Sequence, residues 1–253
     1  MSLFDADPKG VPVKKLTLFL IVATACLLAK PNPSPVPAKI QQQMKRAGSW
    51  KPGCPVPLRD LSYLRLAYLG FDGKRHTGEL VVHKDIAAEV QQIFGALLRS
   101  GYPIYRMRLV SHYHASDFQS IEADNTSAFN CRPVTGGKKW SKHSYGRAID
   151  INPIENPYIS RSGHIAHPAS LRYGLRGRMH RTRTPADKAI MLPSDPIVRI
   201  FKRHGWRWGG DWHTIKDYQH FDKPHTRRYT TPAATHPSSS HKISPPKLFG
   251  QLF

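Results

Sequence analysis

Two short stretches hold the residues that could do chemistry. In Ser141-Lys142-His143-Ser144-Tyr145-Gly146-Arg147-Ala148-Ile149-Asp150 an imidazole and a carboxylate flank a glycine that lets the backbone turn, so a loop entering a strand could bring both to one point. Asp217-Tyr218-Gln219-His220 offers a second imidazole, with a carboxylate shortly before it. His143, Asp150 and His220 together form a nitrogen and oxygen donor set that leaves a fourth position for water, as a catalytic zinc requires. Such an ion lowers the pKa of its water toward about 7. A carboxylate that does not ligate could then take the proton as the water attacks an amide carbonyl, and Asp217 fits that role. The negative charge that develops favours a nearby cation, and Arg132 lies close to His143 in sequence.

Each of these residues also has a plainer reading. An arbitrary pair such as His143 and Asp150 is more often a buried hydrogen bond that holds a loop. His220 beside Phe221 could be a core histidine, Asp217 could orient a neighbour, and Arg132 could be a surface cation or the partner of Asp124. His112, His114, His164, His167, His180 and His204 read as solvated loop residues, and His213 is a rival ligand only by its closeness to the second motif. Trp206, Trp208 and Trp212 read as core and cleft wall; Trp212, with Ser141 and Tyr145, is a candidate to touch substrate.

Taken together, the motifs resemble a family of peptidoglycan-cleaving zinc peptidases that includes D-alanyl-D-alanine carboxypeptidases and dipeptidases and L-alanyl-D-glutamate endopeptidases. The family's first motif, Ser-x-His-x-x-Gly-x-Ala-x-Asp, is met by Ser141, His143, Gly146, Ala148 and Asp150, and its closing motif resembles Trp206-Arg207-Trp208-Gly209-Gly210-Asp211-Trp212 followed by Asp217-x-x-His220-Phe221. The resemblance implies that His143, Asp150 and His220 are the zinc ligands, that Asp217 is the general base and that Arg132, within Phe129-Asn130-Cys131-Arg132-Pro133, orients substrate. It covers roughly Cys54 to Pro224. The base is Asp here where some members place Glu, which leans the reading mildly toward the endopeptidases.

Several elements must position these residues. Leu58–Phe71 reads as a lead-in segment and Glu79–His83 as a hydrophobic strand; over Lys84–Ser100 the spacing of Ile86, Val90, Ile93, Phe94 and Leu97 predicts a helix packed on a sheet. Alternation over Pro103–Val110 predicts a strand, Asn130–Gly146 is loop-rich, and Ala148–Ile151 is a short apolar strand carrying Asp150. Residues 161–188, with Arg172, Arg176, Arg178, Arg181 and Arg183, read as a surface loop region. Pro196–Gly205 predicts a helix ended by its glycine, and Asp217–Phe221 a strand. The fold class expected is α+β: a single domain with a small antiparallel sheet carrying the zinc site and helices packed on one side.

Composition bounds the surroundings. The 38 Lys and Arg against 17 Asp and Glu give a formal charge of +21, which implies attraction to polyanions such as an anionic cell wall or membrane surface. No nucleic-acid partner is expected, because no recognition helix, aromatic RNP strand or Cys/His finger accompanies the charge. Residues 1–29 read as a signal peptide or N-terminal anchor: Lys14 and Lys15 precede an apolar run from Leu16 to Leu28, and Ala23-Thr24-Ala25 supplies small residues for cleavage. Lipidation at Cys26 is the minor variant. The protein is expected to be exported to the periplasm or cell envelope, where Cys54 and Cys131 would form a disulfide. Residues 30–53, rich in proline at Pro31, Pro33, Pro35 and Pro37, read as an extended linker. Residues 54–224 are then the catalytic domain and 225–253 a disordered basic tail. The function expected is zinc-dependent hydrolysis of an amide bond in peptidoglycan stem peptides. The alternative is a catalytically inactive wall-binding protein that keeps the fold.

Overall fold

A computed structural model describes residues 34–134, 136–176 and 184–224. The signal, Arg178, Arg181, Arg183 and the basic tail therefore lie outside the described residues.

The folded part begins earlier than Cys54. β1 (Ser34–Pro35) pairs antiparallel with the strand that follows α1 (Ala38–Ala47), whose Met44 is buried. The linker expected over residues 30–53 is corrected for the described part: Ala38–Ala47 contains no proline, and Ile40 and Met44 sit one helical turn apart, facing the core. Gly48, at φ 79°, ends the helix, as the left-handed position favours, and Lys45 and Arg46 complement its C-terminus.

β2 (Leu61–Leu69) and β3 (Arg75–His83) form a long antiparallel hairpin, in register from Leu61 opposite His83 to Leu69 opposite Arg75. The sheet order is β1-β2-β3. On one face Leu64, Leu66, Leu80 and Val82 meet α2 (Lys84–Arg99) through its Ile86, Val90, Ile93, Phe94 and Leu97. On the other, Leu61 and Val81 join Val36, Met44, Val56 and Phe129 beneath α1. The Cys54–Cys131 disulfide, with 5.9 Å between Cα atoms, ties this second cluster to the segment before the first motif.

The strand expected over Pro103–Val110 shrinks to β4 (Arg106–Met107). After α3 (Asp117–Glu122), β5 (Asn125–Thr126) runs parallel to it, and the Asn125 side chain accepts from Arg108 N (2.8 Å) and donates to Arg108 O (3.0 Å). A side chain thus replaces the next rung of the ladder. β6 (Ala148–Asp150) follows the first motif, and β7 (Tyr158–Ile159) follows β6.

The arginine-rich stretch is not wholly a surface loop. Arg176 is buried, donating to Glu155 O (3.0 Å), Asn156 Oδ1 (2.7 Å) and Met191 O (2.6 Å), with its guanidinium 4.0 Å from the Tyr218 ring centroid. Beyond it α4 (Pro185–Lys188) starts on a Thr184–Asp187 capping box. α5 (Pro196–Arg203) buries Ile197, Val198, Ile200 and Phe201 against α2, and Gly205 at φ 72° follows it.

β8 (Arg207–Trp208), β9 (Lys216–Asp217) and β10 (His220–Asp222) complete the domain. The strand expected over Asp217–Phe221 is two strands in two sheets. β9 pairs with β7, whereas β10 lies between β6 and β8. The architecture is α+β with small antiparallel sheets, compatible with one domain. Among the described residues no helix is long and apolar enough to cross a membrane.

Candidate metal centre

The β6–β10 register places His220 directly opposite Asp150. Phe221, which alternates to the other face, stacks on Phe201 at 3.9 Å, so burial of one side of β10 fixes the side on which His220 projects. Asp150 is held from its other edge by a two-way bridge to Ser127, each N–H donating to the other's carbonyl at 2.9 Å.

His143 comes from a 3-10 turn over Lys142–Tyr145. Ser141 Oγ accepts from His143 N (3.3 Å) as the cap of that turn, and Gly146 leaves it at φ 64°. A side chain at 146 would be strained by that φ, and its Cβ would lie 2.5 Å from His83 N, which donates to Gly146 O at 2.8 Å. The glycine of the first motif is therefore where the β2–β3 hairpin end and the His143 turn touch.

The three side chains converge. His143 Nε2 is 3.3 Å from His220 Nδ1 and 3.1 Å from Asp150 Oδ2, and His220 Nδ1 is 2.9 Å from Asp150 Oδ1. Ligands about 2.0–2.2 Å from a tetrahedral zinc stand roughly 3.3–3.6 Å apart, so the three atoms need to part by only a few tenths of an ångström to admit one. His143 Nδ1 is 2.6 Å from Ala128 O; as an N–H donor it fixes the tautomer that leaves Nε2 free to ligate, the arrangement in which a metal-binding histidine is held by its other nitrogen. The donor set therefore fits a divalent cation.

Charge in the cluster is tightly coupled. Burial acts to raise Asp150, but His143 and His220 overcome it and hold the carboxyl well below the usual carboxylate range. For His220 burial acts downward, yet the Asp150 hydrogen bond and the Asp150 and Asp217 charges push it up to about 9. A proton and a metal compete for the same Nδ1. Asp217 is pushed up to about 6, first by burial and then by the Asp150 charge, against His220, the Gln219 carboxamide and His143. Its Oδ1 is enclosed and has no hydrogen-bond partner among the described residues. Gly209 lets this segment close: a Cβ there would lie 2.4 Å from Asp217 O and 2.9 Å from Asp217 Cβ.

Of the other residues singled out in the sequence, Trp212 lies beside the cluster, its ring centroid 5.5 Å from that of His220. Arg132 feels the charges of Asp150 and Asp217, which support its protonated form against burial; its ion partner is Asp117 rather than Asp124. The Ser141 hydroxyl accepts from the backbone of His143, and the half-buried Tyr145 packs against the cluster of Val36, Met44 and Leu61. His213 is exposed and lies outside the donor cluster.

Sequence reasoning did not find Asp117, which pairs with Arg132 and accepts from Asn130 Nδ2 at 2.8 Å. It also did not find Ser144, whose hydroxyl donates to Arg132 O (2.6 Å) and accepts from Arg132 N (2.9 Å). Ser144 lies inside the motif, so its neighbourhood could have suggested it; no spacing signal marks Asp117.

Residues 135–223 match the family model described as D-alanyl-D-alanine carboxypeptidase. The match spans both motifs, from before Ser141 to beyond Phe221, and bears out the resemblance on which the reading of the site was built. Neither the curated proteins nor the solved structures gave a match.

Proposed function

We propose, from the match of residues 135–223 to the family model described as D-alanyl-D-alanine carboxypeptidase, that this protein is a zinc-dependent peptidase hydrolysing an amide bond in peptidoglycan stem peptides. The observation that carries the reading is the convergence of His143, Asp150 and His220 beside a carboxylate, Asp217, whose enclosed Oδ1 has no hydrogen-bond partner among the described residues. A zinc ion held by His143 Nε2, Asp150 and His220 Nδ1 would supply Lewis-acid charge for activating water and polarising the scissile carbonyl.

The chain's own groups account for the remaining steps. Asp217 takes the proton of the attacking water and returns it to the leaving amine, and burial, which shifts its pKa upward, favours its holding the proton between the two transfers. Arg132, held by Asp117 and by the Ser144 clasp on its backbone, offers a fixed cation to a substrate carboxylate or to the developing oxyanion. Trp212 walls the cleft beside His220. Export to the cell envelope belongs to the same proposal, motivated by the charged and apolar segment at residues 14–28.

Digestion of purified muropeptides followed by mass spectrometry tests the reading. Loss of one terminal alanine identifies a carboxypeptidase, and scission after the first L-alanine identifies an endopeptidase. Folded, zinc-supplemented protein that cuts neither bond would sink the peptidase reading.

A further inference from the structure

Away from the metal centre, the hairpin and the segment after α2 enclose a groove of about 340 Å³. Its walls carry Arg65 on β2, Arg106 on β4 and Arg108 just beyond β4, with the Tyr68 and Tyr105 side chains and Glu79. Three guanidinium groups around one concavity would ordinarily be neutralised by neighbouring carboxylates, and here the neighbouring carboxylates are engaged elsewhere. Glu79 stands directly opposite Arg65 in the sheet register. Its Oε1 instead accepts from Tyr63 OH, and its Oε2 faces His112 Nε2 at 3.8 Å. Asp72, at the hairpin turn, bonds His76 Nε2 at 2.9 Å and accepts from Lys74 N at 3.0 Å. Among the described residues none of Arg65, Arg106 and Arg108 makes an ion pair with a carboxylate within 4.0 Å.

The cations are also held in place. Arg108 is fixed at both backbone groups by the Asn125 side chain, and the Arg106 guanidinium lies 5.4 Å from the Tyr105 ring centroid, which packs edge-on against Phe71. The anchored Arg108 backbone and the Tyr105 ring preset where two of the guanidinium groups start from, and planar guanidinium forks suit phosphate oxygens. The three guanidinium charges less that of Glu79, which lines the same groove, leave an excess that a phosphate dianion matches better than a single carboxylate.

We infer that this groove binds the phosphate group of a small phosphate ester, the unit shared by phosphate-containing polymers and phospholipid headgroups, for which glycerol phosphate is the probe. The site would then let the protein hold an anionic surface through a defined pocket rather than through its general charge. The inference does not depend on the metal centre, so either can fail without the other.

Isothermal titration of the full chain with glycerol phosphate at low ionic strength is the test. Saturable binding is expected, weakened at least tenfold in the Arg65→Gln/Arg108→Gln variant and partly restored with lysine at both positions. Both side chains are exposed, so the variants should fold, and muropeptide cleavage should be unchanged because neither residue is in the metal centre. Retention of soluble poly(glycerol phosphate) by the wild type but not the variant would identify a polymer as the source. The same contrast with phosphatidylglycerol vesicles would identify the membrane. Three results would overturn the inference: binding undiminished in the glutamine variant, acetate bound as well as glycerol phosphate, or a DNA oligonucleotide held more tightly by the same arginines.

Discussion

The two three-stranded sheets of this domain divide its labour. In β1-β2-β3 the long hairpin strands bury Leu64, Leu66, Leu80 and Val82 against α2. In β6-β10-β8 the strands are two or three residues long; they carry Asp150 and His220, to which the Lys142–Tyr145 turn adds His143 and β9 adds Asp217 in one enclosed cluster. The first sheet gains its stability from apolar burial, which costs the cluster nothing. The second buries charge, a net cost unless a metal or mutual pairing compensates it. Stability and chemistry should therefore separate on mutation, with large stability losses in the first sheet and large activity losses in the second.

The largest separation is expected at Asp217. Asp217→Asn should lower kcat by about 10²–10⁴-fold, the range for loss of a general base. Because burial raises this carboxyl from its ordinary value to about 6, the folded state binds its proton more tightly than the unfolded chain does. The charged form therefore destabilises the fold above pH 6, and that penalty fades as pH falls through 6 toward the unfolded value of about 4. The asparagine variant of the metal-free protein should accordingly melt a few degrees higher at pH 7, with the advantage shrinking near pH 4. Wild-type kcat/KM should fall on the acid side as the Asp217 carboxylate takes up its proton. An active variant, or one destabilised at pH 7, would contradict this.

On the other side of the comparison, truncation of Phe94 on α2, beneath β2 and β3, should cost about 3–5 kcal/mol in denaturant unfolding, the range for a buried aromatic. Cleavage per folded molecule should be unchanged. A loss of turnover in Phe94→Ala at full folding would show that the division between the sheets is not real.

The point where the two regions meet should show both effects at a smaller scale. Gly146→Ala places a side chain at φ 64° against His83 N. It should cost roughly 2 kcal/mol in backbone strain, and it should loosen metal binding by shifting the turn that holds His143. Calorimetry and zinc titration on the same variant would read the two together, and unchanged values of both would remove the proposed link.

Much of this division was legible in the sequence. α2 was marked by the helical recurrence of Ile86, Val90, Ile93, Phe94 and Leu97, and the site by two motifs whose residues meet across the β6–β10 register. The Cys54–Cys131 disulfide followed from an isolated pair of cysteines in a chain expected to be exported. The rest was hidden for physical reasons. Proline density around residues 31–37 masked the proline-free helix behind it, so α1 read as linker. The alternation at Pro103–Val110 was real, but the Asn125 side chain caps the ladder after two residues. Arg176 looked like surface charge because the carbonyls that receive it, Glu155 O and Met191 O, leave no trace in residue type. Asp117 reaches Arg132 only through tertiary contact.

The central claim, that His143, Asp150 and His220 form a metal centre, is tested most directly by elemental analysis of the purified protein after zinc loading and dialysis, beside His143→Ala. One zinc per chain in the wild type, lost in the variant while the fold is kept, is the result expected. A folded wild type that retains no metal, or a variant that retains as much as the wild type, would contradict it.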